Sequence, residues 1–102
     1  MLKHCVFIDF KDEVSESEQF KVFKELANLQ DEIKGLVTFE FGNNLDFEQK
    51  SIDFNSGFIA SFDSYDSLNE YNNNSNHIAL GNQLVSMANG GYKGIIVFDI
   101  ET

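Results

Sequence analysis

Two side chains in the second half of the sequence have the types and spacing for proton chemistry on a small molecule: Tyr71 and, six residues on, His77. A neutral imidazole can accept a proton near pH 7, and a tyrosine hydroxyl can donate a hydrogen bond to a carbonyl or a developing enolate oxygen. His77 stands where a helix is expected to begin, and the partial positive charge at a helix start disfavours the imidazolium. His4 projects from a strand near the start of the chain and would point toward the same space. Taken singly, these residues read more readily as a packing tyrosine, a surface histidine and a hydrogen-bonded core histidine. The chemical reading therefore depends on the elements that position them.

Other chemistries find less support. The two histidines are far apart in sequence, and the chain has neither a His-x-x-x-His pair nor a Cys-x-x-Cys pair, so no metal site is expected. Gly90-Gly91 lacks the spacing of a phosphate-binding loop, and no cofactor is expected. The single cysteine, Cys5, lies in an apolar stretch with no base nearby, which fits a small buried side chain in a reducing, cytoplasmic setting. Asp12-Glu13 and Glu16 with Glu18 are turn and helix-start residues. The formal charge of −10, from seven basic and seventeen acidic residues, would repel a phosphate backbone and an anionic membrane surface, so nucleic acid and membrane are not expected partners. No apolar run approaches the roughly 20 residues of a membrane span. Lys3, His4 and Asp9 stand where a leader peptide would be apolar.

A length of 102 residues fits one domain, and a hydrophobic fraction of 42% with eleven phenylalanines can fill one core. Residues 2–10 read as a strand. Ser15 with Glu18 forms a capping-box pattern, after which Phe20, Phe23, Leu26, Ala27 and Ile33 recur at helical spacing until Gly35, which suits a helix C-cap. Residues 36–41 form a second strand and residues 54–62 a third. Asp63 or Ser64 can cap a helix carrying Tyr65, Leu68 and Tyr71, which the asparagine-rich residues 72–76 interrupt as a loop. Helix resumes near His77, with Leu80, Gly81, Leu84, Met87 and Ala88 on one side, and stops at Gly90-Gly91. Residues 92–100 make a fourth strand.

The order β-α-β-β-α-β is the ferredoxin-like arrangement of an α+β domain: a four-stranded antiparallel sheet whose right-handed crossovers put both helical segments on one face. The other face is bare. Alternation places His4, Val6, Ile8 and Phe10 on one side of the first strand and Cys5, Phe7 and Asp9 on the other, and both sets are largely apolar. Phe7, Phe39, Phe41, Ile59, Ile95 and Val97 are expected together on the bare side, too large an apolar patch for a solvated face. A second copy of the same sheet is the natural cover, so a homodimer packed through its helix-free faces is expected.

Several of these pieces, in this order, resemble the stress-responsive dimeric α/β-barrel (Dabb) family. They are Lys3-His4, Phe10-Lys11-Asp12, Ile33-x-Gly35, Phe41-Gly42-x-Asn44, and Phe62-Asp63-Ser64 leading to Tyr71 and His77. The resemblance spans nearly the whole chain and implies two ferredoxin-like subunits packed sheet against sheet into a barrel. Members commonly carry proline two residues before the late histidine, where this chain has Ser75, and it has no proline anywhere. The family includes plant stress proteins and a polyketide cyclase that closes a linear tetraketide by aldol condensation. The resemblance implies active-site roles for Tyr71, His77 and His4. A further histidine on the cyclase's third strand is replaced here by Ser56 or Gly57.

Two functions follow as expectations. One is a stress-linked dimeric protein that holds a small apolar or carbonyl ligand between sheet and helices. The other is a cofactor-free lyase or cyclase with His77 as base and Tyr71 as hydrogen-bond donor. The wider superfamily of dimeric α+β barrels also includes monooxygenases, but the absence of Trp and of a haem-ligand histidine on a suitable helix argues against its haem branch.

Overall fold

The computed structural model describes residues 1–102. β1 (Leu2–Ile8) is followed by α1 (Glu16–Ala27), where Ser15 Oγ accepts from the Glu18 amide at 3.1 Å and Glu18 Oε1 accepts from the Ser15 amide at 3.2 Å. This reciprocal capping box satisfies amides that the first helical turn leaves unpaired. The α-helix ends earlier than Gly35, passing at Asn28–Asp31 into a 3-10 turn. Gly35 does not take the left-handed backbone of a C-cap. Its role is close approach: a Cβ there would collide with the Ser67 side chain and crowd Asp63, so its absence lets the next helix settle on the start of β2.

β2 (Leu36–Asn43) and β3 (Ser56–Phe62) lead to α2 (Tyr65–Asn73), capped by Ser64, whose Oγ accepts from the Ser67 amide at 3.2 Å. The expected loop at residues 72–76 is reduced to a break at Asn74, and α3 (Ser75–Met87) begins at once. Asn74 Oδ1 accepts from the amides of Asn76 at 2.9 Å and His77 at 3.0 Å, so this asparagine restarts a helix instead of extending a loop. Gly90 and Gly91 take left-handed backbone at φ 74° and 64°, a region that favours glycine. The 3-10 turn Gly91–Gly94 then feeds β4 (Ile95–Glu101), which starts three residues later than the sequence pattern suggests.

The four strands form one antiparallel sheet in the order β2-β3-β1-β4, with the helices on one face: a ferredoxin-like α+β fold, as expected. Register assigns the faces. Val6 pairs with Phe58 and Val97, and Ile8 with Ser56 and Ile95, so those residues share the helix-covered side with His4. Cys5, Phe7, Ile59, Ile96 and Phe98 lie on the other.

This corrects the expected composition of the bare face. Phe39 and Phe41 face the helices, where Phe39 stacks on Phe58 at a centroid distance of 4.8 Å and Phe41 meets Phe20 at 5.4 Å. A register shift between Leu36 and Thr38 makes Val37 an extra residue, so Leu36 stays on the same side as Phe39 and Phe41 despite their odd spacing. Ile95 and Val97 also face the helices, and Ile96, Phe98 and Ile100 take their place on the helix-free side. That side remains apolar along β1 and β4. Toward β2 it becomes polar, with Thr38 and Glu40.

Candidate functional site

The break at Asn74 puts Tyr71 in the last turn of α2 and His77 in the first turn of α3, with their rings 4.0 Å apart between centroids and inclined at 41°. His4 reaches up from β1, its ring edge-on to Tyr71 at 6.0 Å. Tyr71 is also held edge-on by Phe62 at 5.1 Å and is completely buried. The three residues singled out in the sequence thus form one cluster.

A fourth residue joins them that the sequence reading missed. Asp99 lies directly across from His4 in the β1–β4 register, and its Oδ1 accepts from His4 Nδ1 at 2.6 Å. This bond puts the proton on Nδ1, fixes the plane of the ring and leaves Nε2 as its free nitrogen. The available signal was a lone aspartate in the otherwise apolar run Ile95 to Ile100.

Beside the cluster a cleft of about 400 Å³ opens between the sheet and α3. His4, Asn72 and His77 are on its wall, and Val6, Leu84 and Val97 are among its apolar lining. Tyr92 also lines it and is itself 76% exposed, so the cleft communicates with solvent. Gly81 borders it too, and a Cβ there would meet nothing within 4 Å. Tyr71 does not lie on this wall. It sits in the layer against the two histidines.

Burial sets the protonation states. It lowers the pKa of His77, with a smaller push from His4, while the Asn72 backbone works the other way. The direction is the one expected from the helix start, but desolvation is the largest cause. Burial also pushes the Tyr71 phenol far up, so it keeps its proton. Neither the Tyr71 hydroxyl nor His77 Nδ1 has a hydrogen-bond partner in the protein. Buried polar atoms without partners are uncommon, and here two of them occur on adjacent rings. The arrangement combines a neutral imidazole, a protonated phenol and a carboxylate-oriented second imidazole beside an apolar space.

Ser56 lies on the helix side of β3, fully buried, and its Oγ donates to Gln19 Oε1 at 2.8 Å. Gly57 points the other way, where a Cβ would collide with Phe7. Neither supplies an ionisable group to the cluster. Cys5 is on the helix-free side of β1, 8% exposed, and burial raises its thiol pKa with a further push from Asp99.

The comparisons with known proteins bear on the fold and the family. A dimeric ferredoxin-like protein of unknown function from Jannaschia sp. CCS1 is 33% identical and superposes with a TM-score of 0.93, over 99% of this chain and 98% of its own. Olivetolic acid cyclase from Cannabis sativa is 22% identical over 98 residues, 96% of this chain and 93% of the cyclase. The hydroxynitrile lyase from Passiflora edulis shares the fold, with a TM-score of 0.80 at 15% identity over 97% of this chain and 90% of the lyase. No helix is long and apolar enough to cross a membrane. A family model described as "Stress responsive A/B Barrel Domain" matches residues 2–102, and the chain belongs to that family.

Proposed function

We propose that this protein is a homodimer that binds a small, largely apolar carbonyl compound in the cleft between the sheet and α3, as part of a stress response. The observation that carries the reading is the cleft of about 400 Å³ with two histidines on its apolar wall, next to a buried tyrosine hydroxyl and an imidazole nitrogen that lack protein partners. Apolar walls reward transfer of hydrocarbon from water, while a few polar atoms fix orientation. The Tyr71 hydroxyl lies behind this wall, so a carbonyl oxygen gives it the acceptor it lacks only where the wall opens on binding. A cytoplasmic setting suits the unpaired Cys5. Acetylacetone and its longer alkyl homologues test the reading, with the ring resonances of His4 and His77 followed by NMR. Saturable shifts that tighten with chain length are expected. If neither ring responds at millimolar ligand, the cleft is not the site.

The dimer is part of the same proposal. Cys5, Phe7, Ile59, Ile96 and Phe98 form the helix-free apolar surface, and the Jannaschia relative is described as dimeric. Phe98, 55% exposed, is the residue to change. In sedimentation at micromolar concentration the wild type should run as a dimer, and Phe98→Asp should place an unpaired charge in the desolvated contact and release monomers. A wild-type particle of 11.6 kDa would rule out the dimer.

A second reading is cofactor-free catalysis, favoured by the burial that keeps His77 neutral and Tyr71 protonated. His77 would remove a proton from the carbon next to a carbonyl, and the Tyr71 hydroxyl, which lies behind the cleft wall, would donate to the enolate oxygen only once that wall opens to it. The enolate carbon could then attack a second carbonyl of the same molecule. The new alkoxide would take the proton back from His77. The similarity to olivetolic acid cyclase supports this reading, and the lack of an ionisable residue at Ser56 or Gly57 separates the two sites. Deuterium uptake at the α-carbons of 2-nonanone in heavy water isolates the first step. Wild type should accelerate it and His77→Ala should not. Equal rates would leave binding as the function.

A further inference from the structure

The segment between β2 and β3 carries large apolar side chains into solvent: Leu45 is 69% exposed and Phe47 88%. A loose loop would let such side chains fold back, but this one is built rigidly. Asp46 Oδ1 accepts from the Lys50 amide at 2.9 Å, the Ser51 amide at 3.1 Å and Ser51 Oγ at 3.0 Å. Asn44 Nδ2 donates to Ser51 Oγ and to the Phe54 carbonyl, both at 2.9 Å, which ties the start of the segment to its end. Asp46 and Gln49 hold left-handed backbone at φ 44° and 56°, a cost that non-glycine residues meet only where surrounding bonds enforce it.

Location gives this frame a use. Leu45 borders the same surface recess as Phe7 and Ile59, both on the helix-free face. Asn44, Ser51 and Phe54 border a second recess with Phe7, Ile96 and Phe98. The segment therefore adjoins the apolar sheet face on two sides and continues its surface outward. Ile52, also exposed, lies elsewhere, on the flank beside Glu16 and Gln19.

We propose that residues 44–55 form a prefolded arm that carries Leu45 and Phe47 onto a second copy of this chain, extending the dimer contact beyond the sheet faces. The inference rests on the dimer proposed above, and it commits to a second copy because the arm is continuous with the face that copy would cover. A rigid frame loses little conformational freedom on docking, so the two apolar side chains contribute most of their burial to association.

Sedimentation equilibrium on the full chain tests it with three variants. Leu45→Ser with Phe47→Ser should weaken self-association at least about tenfold with unchanged circular dichroism, because exposed anchors contribute to the contact and little to the monomer. Asp46→Ala removes no apolar surface but frees the frame, and it should also weaken the dimer, by a smaller factor. Phe98→Asp serves as the reference for the sheet face itself. If Phe98→Asp dissociates the dimer while the Leu45/Phe47 double variant keeps the wild-type constant, the arm is overturned and the sheet contact stands. A monomeric wild type overturns both. If the double variant loses only precipitation or higher aggregates and keeps the dimer constant, the arm is likewise overturned.

Discussion

α1 and α3 lie over the same face of one sheet, yet one seals it and the other leaves it open. Under α1 the space is filled by phenylalanine: Phe23 is fully buried and meets Phe10, Phe41 and Phe58 at centroid distances of 6.0, 5.7 and 5.5 Å. α1 buries Gln19, Val22, Phe23 and Leu26, whereas α3, one residue longer, buries only Leu84. Gly81 has no side chain to reach toward the sheet, and the cleft lies beside it. Close packing on one side supplies the stability that lets the other remain open.

The largest test of this contrast is Phe23→Ala, which should lower stability by about 3–5 kcal/mol in urea denaturation, since the surrounding rings cannot collapse into the cavity. A loss below about 1 kcal/mol would mean that the α1 side is no better packed than the other. Acid should act through the open side. An unfolded histidine takes up its proton near pH 6.5, while burial holds His77 in the folded chain below that value. The unfolded state therefore binds more protons as pH falls through about 6.5 toward the folded value, and stability should decline across that window. His77→Gln should flatten the decline, and an unchanged profile would show that the ring is not desolvated.

Gly81→Ala should raise stability by roughly 0.5–1 kcal/mol, because it improves helix propensity and its methyl enters open space. Gly81→Leu should fill the cleft and remove ligand-dependent shifts at His77. Destabilisation by the alanine would indicate that α3 packs more tightly than it does here. The smallest effect belongs to Tyr71→Phe, which breaks no hydrogen bond within the protein and should change stability by no more than about 1 kcal/mol while weakening the response to a ketone. A large loss of stability with unaltered ligand response would make Tyr71 a packing residue.

Element types, their order and the family were legible in the sequence, because capping residues, glycine stops and apolar spacing act over a few neighbours. Ser15 with Glu18 and the cap at Ser64 appear as read. Tyr71 and His77 could be paired because both lie close to one helix break, so a local cue carried the geometry. The faces of the sheet were another matter. In β4 both alternating sets are apolar, and in β2 the extra residue Val37 reverses the parity between Leu36 and Phe39, so alternation alone misassigned Phe39, Phe41, Ile95 and Val97. Only strand register decides which set meets the helices, and register belongs to the pairing of segments distant in sequence. Asp99 escaped for the same reason: its partner His4 is 95 residues away and becomes its neighbour only when the first strand and the last lie side by side.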